Sequence, residues 1–221
     1  MKGPSQLRIL IADDHEVVRR GLTSLLSSRP GWIVCAEAVT GRDAIAKAEE
    51  HRPDIAVMDI SMPEMNGLEA TRKIRKILPR TEVLVLSVHY SDQLVREIVD
   101  AGARGYILKS DTHRDLLNAV EAVAHRQSFF TSGAAQIVLQ GFRNRDSAPK
   151  SSASIHRTLS AREREIVQLL AEGKSSKEVA VSLGISVKTA ETHRSNIMRK
   201  LEMHSVSELV RYAVKNHMIE P

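Results

Sequence analysis

Residues 52–67 read RPDIAVMDISMPEMNG, and the fold hangs on how this stretch is divided. The run 54–58, entered through Pro53, is short and apolar on every position after Asp54, the pattern of a strand buried on both faces and therefore of a parallel sheet. Asp59 ends it. A charged residue at the carboxyl end of such a strand sits where open α/β sheets bind ligands, just outside the strand tips. Ser61 to Gly67 then turns the chain, with Pro63 and Gly67 as punctuation, before a helical pattern begins. Taken alone, Asp59 reads as a solvated acid at the start of a loop, so its meaning depends on what the other strands deliver to the same edge.

Working outward, LRILIA at residues 7–12 is a second strand-like run, and it ends in the acidic pair Asp13-Asp14. Val18, Leu22, Leu25 and Leu26 then recur at helical spacing between His15 and Ser28. The alternation continues with strands expected at 33–38, 54–58, 82–87 and 104–108, and helices at 42–51, 67–77, 92–102 and 113–125. Five strands with crossover helices make an α/β fold, a doubly wound five-stranded parallel sheet. Each tip then carries a polar group: Asp13 and Asp14 after the first, Asp59 after the third, Ser87 on the fourth, Lys109 after the fifth. Three crowded carboxylates repel one another unless a cation neutralises them, and an all-oxygen set suits Mg²⁺. Zinc does not fit, because the nine histidines contain no HxxxH pair and there is a single cysteine. A lysine and a hydroxyl aimed at the same point supply donors for the oxygens that a phosphoryl group on Asp59 would bring.

With these residues together, the stretch 7–127 resembles the receiver domain of two-component response regulators. The likeness rests on Asp13-Asp14, DISMPEMNG with Asp59, LVLS with Ser87, GYIL with Tyr106, and Lys109. The resemblance implies that Asp59 is the phosphoacceptor, and that Asp14, Asp59 and the Ser61 backbone carbonyl ligate Mg²⁺ directly while Asp13 assists through water. It also implies that Lys109 pairs with the phosphoryl oxygens and that Ser87 and Tyr106 form the switch, the ring turning inward behind the hydroxyl. Two features depart from or vary within that pattern. Ser110 stands where many receivers have a proline after a cis peptide, and a non-proline cis bond costs about 2.5–4 kcal/mol. Ser61 and His89, two residues past Asp59 and Ser87, stand at the positions that in receivers influence how water reaches the acyl phosphate.

The formal charge of +5 is unevenly spread. Residues 1–128 hold 18 basic and 18 acidic side chains, residues 129–221 hold 14 and 9, so the excess is C-terminal. Arg143, Arg145, Lys150 and Arg157 supply much of it from a stretch, 128–157, whose composition reads as a linker with one short helix near 132–141. From Thr158 four helices are expected. Ser160, Ser175 and Ser205 each precede a Glu by three residues, the capping-box spacing, and Ser186 is a good N-cap for the remaining helix. Gly173 and Gly184 end the first and second, leaving a short turn before the third: a helix-turn-helix, whose second member lies in the DNA major groove.

This part, 158–218, resembles the LuxR-type DNA-binding domain along LSAREREIVQLLAEGKSSKEVAVSLGISVKTAETHRSNIMRKL. The whole chain is thereby similar to a NarL/FixJ-type response regulator, with a receiver at 1–127, a linker at 128–157 and an all-α DNA-binding domain at 158–221. The third helix is expected to pack inward through Ala190, Ile197 and Leu201. The resemblance makes it the DNA reader, with Lys188, Thr189, Glu191, Thr192, Ser195 and Arg199 outward. It makes the fourth helix, Ser205 to Asn216, the dimer element, with Val206, Leu209, Val210 and Ala213 on its apolar faces. The implied partners are a sensor histidine kinase, double-stranded DNA and a second copy of the chain. Two rival readings stand beside it: a Mg²⁺-dependent phosphatase-like enzyme with a phospho-aspartate intermediate, which would ordinarily need an acid where Ser61 stands, and a DNA-binding regulator whose receiver ignores phosphate. No signal-peptide core follows Met1-Lys2-Gly3-Pro4, no apolar run approaches the roughly 20 residues that span a bilayer, and Cys35 reads as a buried hydrophobe, so a cytoplasmic protein is expected.

Overall fold

The computed structural model describes residues 6–131, 133–137 and 159–219. The chain divides into two compact units, Met1–Asp146 and Ser147–Pro221. In the first, strands β1 (Leu7–Ala12), β2 (Trp32–Ala38), β3 (Ile55–Asp59), β4 (Glu82–Ser87) and β5 (Gly105–Leu108) alternate with helices α1 (Glu16–Ser27), α2 (Gly41–His51), α3 (Gly67–Ile77), α4 (Asp92–Asp100) and α5 (Thr112–Ala124). The sheet is parallel throughout, in the order β2-β1-β3-β4-β5 with one further strand, β6 (Phe129–Phe130), beyond β5. The order reverses at β1 and β3, and their carboxyl ends flank the crevice where such sheets bind ligands.

The period-2 alternation of the strands sorts the core into two layers. Leu10, Ala56, Met58, Val83 and Val85 face α2, α3 and α4, packing on Ala48, Ile74 and Val95. Ile9, Ile11, Ile55, Val57 and Leu84 face α1 and α5, packing on Leu26 and Val120. β3 is buried along its whole length, which is why its sequence lacks a polar face. It starts at Ile55 rather than Asp54, because the Asp54 carboxylate is turned back to accept from the Arg8 amide at 2.8 Å.

The expected count of five strands is corrected to six. Phe129–Phe130 forms β6, paired in parallel with β5 as Gly105↔Phe129 and Tyr106↔Phe130. Two aromatic residues offer no periodicity, and what makes them a strand is the open edge of β5. They fall inside the expected linker. Of the expected helix at 132–141, residues 133–137 are helical; residues 132 and 138–141, like the rest of the linker to 157, lie outside the described residues.

The second unit holds α6 (Ala161–Ala171), α7 (Ser176–Leu183), α8 (Val187–Lys200) and α9 (Val206–Lys215) around Ile166, Leu169, Val179, Ala190, Ile197 and Leu209. Ser160 and Ser175 make full capping boxes. The box expected at Ser205 is half made: Ser205 accepts from the Glu208 amide, but Glu208 Oε2 accepts from the amide of His204, one residue earlier than the N-cap. Ser186 caps α8 by accepting from the Thr189 amide. Among the described residues no helix is long and apolar enough to cross a membrane.

Candidate functional site

At the carboxyl ends of β1 and β3, one oxygen each of Asp13, Asp14 and Asp59 and a ring nitrogen of His15 lie within 4.8 Å of one another. Asp13 and Asp59 are buried, at 0 % and 1 % exposure, while Asp14 is open to solvent. Lys109, in a 3₁₀ turn after β5, reaches across with its Nζ 2.8 Å from Asp13 Oδ2 and 2.9 Å from Asp59 Oδ2. It does so with no cis peptide bond among the described residues, so Ser110 follows the lysine on an ordinary trans backbone.

Burial pushes the Asp59 carboxyl up to about 6; Lys109 pulls it down, and Asp13 and Asp14 push it further up. Burial works against the charge of Lys109, but Asp59 and Asp13 outweigh it and hold its pKa above the ordinary value. The two Oδ2 atoms are buried with the ammonium near them yet without a well-directed hydrogen bond. Paired acids with spare lone pairs and one shared cation can accept a further positive charge. The donor set is all oxygen apart from His15, so the residues present fit a hard divalent cation.

α3 begins immediately beside this pocket. Asn66 caps it by accepting from the Glu69 amide at 2.9 Å, and Gly67 follows because a Cβ there would lie 1.9 Å from the Asp59 carbonyl oxygen. Gly67 N donates to the Ile60 carbonyl at 2.8 Å, and the Gly41 amide at the start of α2 donates to the Met65 carbonyl at 3.0 Å. The loop carrying Ser61, which is half-buried, is thus held between two helix starts.

On the other side, Ser87 ends β4 at 4 % exposure, and its Oγ accepts from the His89 amide at 3.0 Å. Tyr106 is fully buried and donates its hydroxyl to the His89 carbonyl at 2.8 Å. Burial pushes its pKa above the ordinary phenol value, with Tyr90 and Asp111 adding to the effect. Ser87 and Tyr106 therefore hold the same residue, one by each end of its peptide. The ring is already inward in this state.

His15 was not singled out from the sequence. Its Nδ1 lies 2.9 Å from Asp14 Oδ1 and 3.5 Å from Asp13 Oδ1, and its amide donates to Asp13 Oδ1 at 2.9 Å. Arg19, one turn later, donates to the carbonyls of Asp13 and Asp14 at 2.9 and 3.2 Å. The available signal was a His and an Arg four residues apart directly after the acidic pair.

In the second unit Gly184 adopts φ 63° and ends α7, and Ile185 N bonds back to the Ala180 carbonyl at 3.0 Å, turning the chain into α8. Arg162 on α6 donates to the Leu183 carbonyl at 2.9 Å, and Lys200 at the end of α8 pairs with Glu163 Oε2 at 2.8 Å. α6 thereby holds the end of α7 just before the turn and the C-terminal end of α8. Ala190 and Ile197 face inward as expected, and Leu201 is half-buried. Lys188, Thr189, Glu191, Thr192, Ser195 and Arg199 are all exposed on one helix. On α9 the expectation is corrected: Leu209 and Ala213 are buried at 1 % and 0 % in the unit's own core, so they do not lie on an outer face. Val206, 43 % exposed, and the half-buried Val210 do.

Comparison with known proteins agrees with both units. Residues 9–121 match the family described as response regulator receiver domain, and residues 157–213 match bacterial regulatory proteins of the luxR family. Response regulator protein VraR of Staphylococcus aureus is 39 % identical over 214 residues, 97 % of this chain and 99 % of the relative. A LuxR-family two-component response regulator from Aurantimonas sp. SI85-9A1 is 34 % identical with a TM-score of 0.57, covering 62 % of this chain and 97 % of its own. RcsB from Salmonella enterica serovar Typhimurium, solved bound to promoter rprA in the presence of the phosphomimetic BeF3-, is 22 % identical with a TM-score of 0.60 over 94 % of this chain and 98 % of its own, a likeness of fold alone.

Proposed function

The chain belongs to the two-component response regulators, a receiver domain followed by a LuxR-type DNA-binding domain, and on that footing we propose how its residues divide the work of a phosphorylation-controlled transcription regulator. Asp59 is the phosphoacceptor. Its carboxylate oxygen attacks the phosphorus of a phosphohistidine on the sensor kinase; the P–N bond breaks, the imidazole nitrogen keeps the electron pair, and a mixed anhydride forms on Asp59. Asp14, Asp59 and the Ser61 backbone carbonyl would hold Mg²⁺, with Asp13 assisting, and the bound ion would neutralise charge at the transferring group. Lys109 stays beside the product oxygens as their fixed cation. The reading is carried by the placement of Lys109 Nζ within 2.9 Å of both buried acids, with Ser87 and Tyr106 each bonded to His89.

A phosphoryl group adds about −1.5 to −2 charge and three acceptors, enough for one to three new charge-assisted bonds. Drawing the Ser87 hydroxyl to it breaks the bond to the His89 amide, and that is the switching event. Ser61 stands where a phosphatase of this type would need a second acid, so the chemistry ends at self-phosphorylation and its reversal. DNA is read by Lys188, Thr189, Glu191, Thr192, Ser195 and Arg199, with Glu191 able to accept from a cytosine amino group. Two copies pair on a two-fold site, and the exposed edge of α9 at Val206 and Val210 contributes to that pairing. The receiver extends past Phe130, because β6 pairs with β5, the DNA-binding domain spans 158–221, and the protein acts in the cytoplasm.

A mobility-shift titration with acetyl phosphate and Mg²⁺ tests the reading. Affinity and oligomeric state should both rise on phosphorylation, and no change in either would overturn it. In the same assay Arg199→Ala weakens binding to all sequences and flattens the salt dependence, lowering the slope of log K against log salt by about one, as loss of a single phosphate contact does.

A further inference from the structure

Arg19, one turn into α1, takes no part in the phosphoryl chemistry, yet its side chain is mostly buried, which an arginine tolerates when its donors are paired. Nη1 donates to the carbonyls of Asp13 and Asp14, at 2.9 and 3.2 Å. Nε faces Glu37 Oε2 on β2 at 3.5 Å, an ion pair. Glu37 is held in turn: its Oε1 accepts from the Thr23 hydroxyl at 3.0 Å, one turn further along α1, and its backbone carbonyl accepts from Lys47 Nζ on α2. The guanidinium is thus clasped between α1, β2 and the loop that carries two of the three acids.

That loop needs a restraint. Asp13, Asp14 and Asp59 bring carboxylate oxygens within 4.8 Å of one another, and Lys109 reaches only Asp13 and Asp59. Like charges at this range push apart, and Asp14, being exposed, has room to move away. The start of α1 does little to prevent it, because His15 caps the helix without a side-chain hydrogen bond. A hydrogen bond to each of the two peptides fixes where both acidic side chains begin, which is what a pre-arranged cation site requires. From these contacts we infer that Arg19 is a positioning residue for the divalent cation: by binding the Asp13 and Asp14 peptides to α1 it keeps the acids gathered before the ion arrives, while Glu37 holds the guanidinium and offsets its charge. This rests on the reading of Asp14 and Asp59 as cation ligands.

Charge and geometry make opposite forecasts for the loss of this side chain. The guanidinium is a cation beside a cation site. If it acted by charge alone, removing it would strengthen Mg²⁺ binding. If it acts by position, removing it lets the loop spread, and the ion must then draw the acids together again, which weakens binding. Groups that orient metal ligands from behind typically contribute about 10–100-fold in affinity, more than enough to set the sign.

Calorimetric titration of the full chain with Mg²⁺ alone, without phosphodonor, reads that sign. Arg19→Gln should raise the dissociation constant about tenfold or more. Arg19→Lys keeps the charge but lacks the planar fork that serves two carbonyls and a carboxylate together, and should raise it about threefold or more. Phosphoryl uptake from acetyl phosphate should need correspondingly more Mg²⁺ for its half-maximal rate and reach the wild-type rate at saturation, since Arg19 touches none of the reacting atoms. Thermal denaturation in EDTA shows whether each variant is folded. An unchanged or lower dissociation constant in folded Arg19→Gln overturns the inference. Where Arg19→Gln does not fold, Arg19→Lys decides in the same way, and failure of both to fold makes Arg19 a structural residue and overturns it too. Wild-type chain that binds Mg²⁺ but takes up no phosphoryl group sinks the assignment of Asp59 instead and leaves calorimetry to judge Arg19; wild-type chain that binds no Mg²⁺ ends the inference.

Discussion

Asp59→Asn abolishes phosphoryl uptake from acetyl phosphate and, in Mg²⁺-free buffer at pH 7, makes the receiver more stable. The first half follows because an amide oxygen does not attack phosphorus as a carboxylate does. The second follows from the pocket. Burial, with Asp13 and Asp14 adding to it and Lys109 opposing it, raises the folded-state pKa of Asp59 from 3.8 to about 6. A raised folded pKa means that the folded state binds the proton more tightly than the unfolded chain does. The stability this confers is fully present below about pH 4 and is lost as the pH rises through 6. At pH 7 the wild type has lost all of it, at about 1.4 kcal/mol per pKa unit, or up to about 3 kcal/mol. Asn carries no charge to bury. Thermal denaturation in EDTA should show the variant higher by about 10 °C at pH 7, with the gap closing by pH 4. Mg²⁺ should narrow the gap, because it stabilises the carboxylate only in the wild type. A variant no more stable than the wild type at pH 7 would mean that Asp59 is not strained in the folded receiver.

That strain was readable from the sequence in kind. Apolar runs that end on an acid, a hydroxyl or a lysine announce which groups the sheet gathers at one edge, because every parallel strand points the same way. The bounds of β4 and α3 coincide with those expected, for each is framed by residues with one conformational use: Asn66 as a cap, Gly67 against a carbonyl, Pro79 after the helix. What was not readable depends on tertiary neighbours. Phe129 and Phe130 are a strand only because β5 leaves its edge open. Leu209 and Ala213 belong to an apolar helix with more than one apolar side, and periodicity does not say which side meets the core. Glu208 fits a capping box by spacing, yet its carboxylate takes the neighbouring His204 amide, since donors one residue apart at a helix start are equally within reach. His15 follows the acidic pair in sequence, but its place beside both carboxylates comes from the bend between β1 and α1.

Lys109→Ala should be the most damaging single change in the pocket. The lysine is the cation lying 2.8 and 2.9 Å from two carboxylates whose side chains are 0 % and 2 % exposed. Removing one partner of a buried ion pair leaves an uncompensated charge and typically costs about 3–5 kcal/mol. Here the loss is limited by protonation: with Lys109 gone, nothing pulls the Asp59 pKa down, so that carboxyl takes up a proton at neutral pH. The cost is then a matter of pH. The variant should be furthest below wild type above pH 7 and approach it near pH 5, and millimolar Mg²⁺ should recover part of the difference by replacing the lost charge. The decisive comparison is a double-mutant cycle with Asp59→Asn, followed by chemical denaturation at pH 7.5 in EDTA. If Lys109 acts on Asp59 through charge, its removal should cost at least about 1 kcal/mol less when residue 59 is already neutral, since residues that share a contact are not additive. Additive costs would mean that Lys109 supports the fold through Asp13 alone and has no electrostatic hold on the phosphoacceptor.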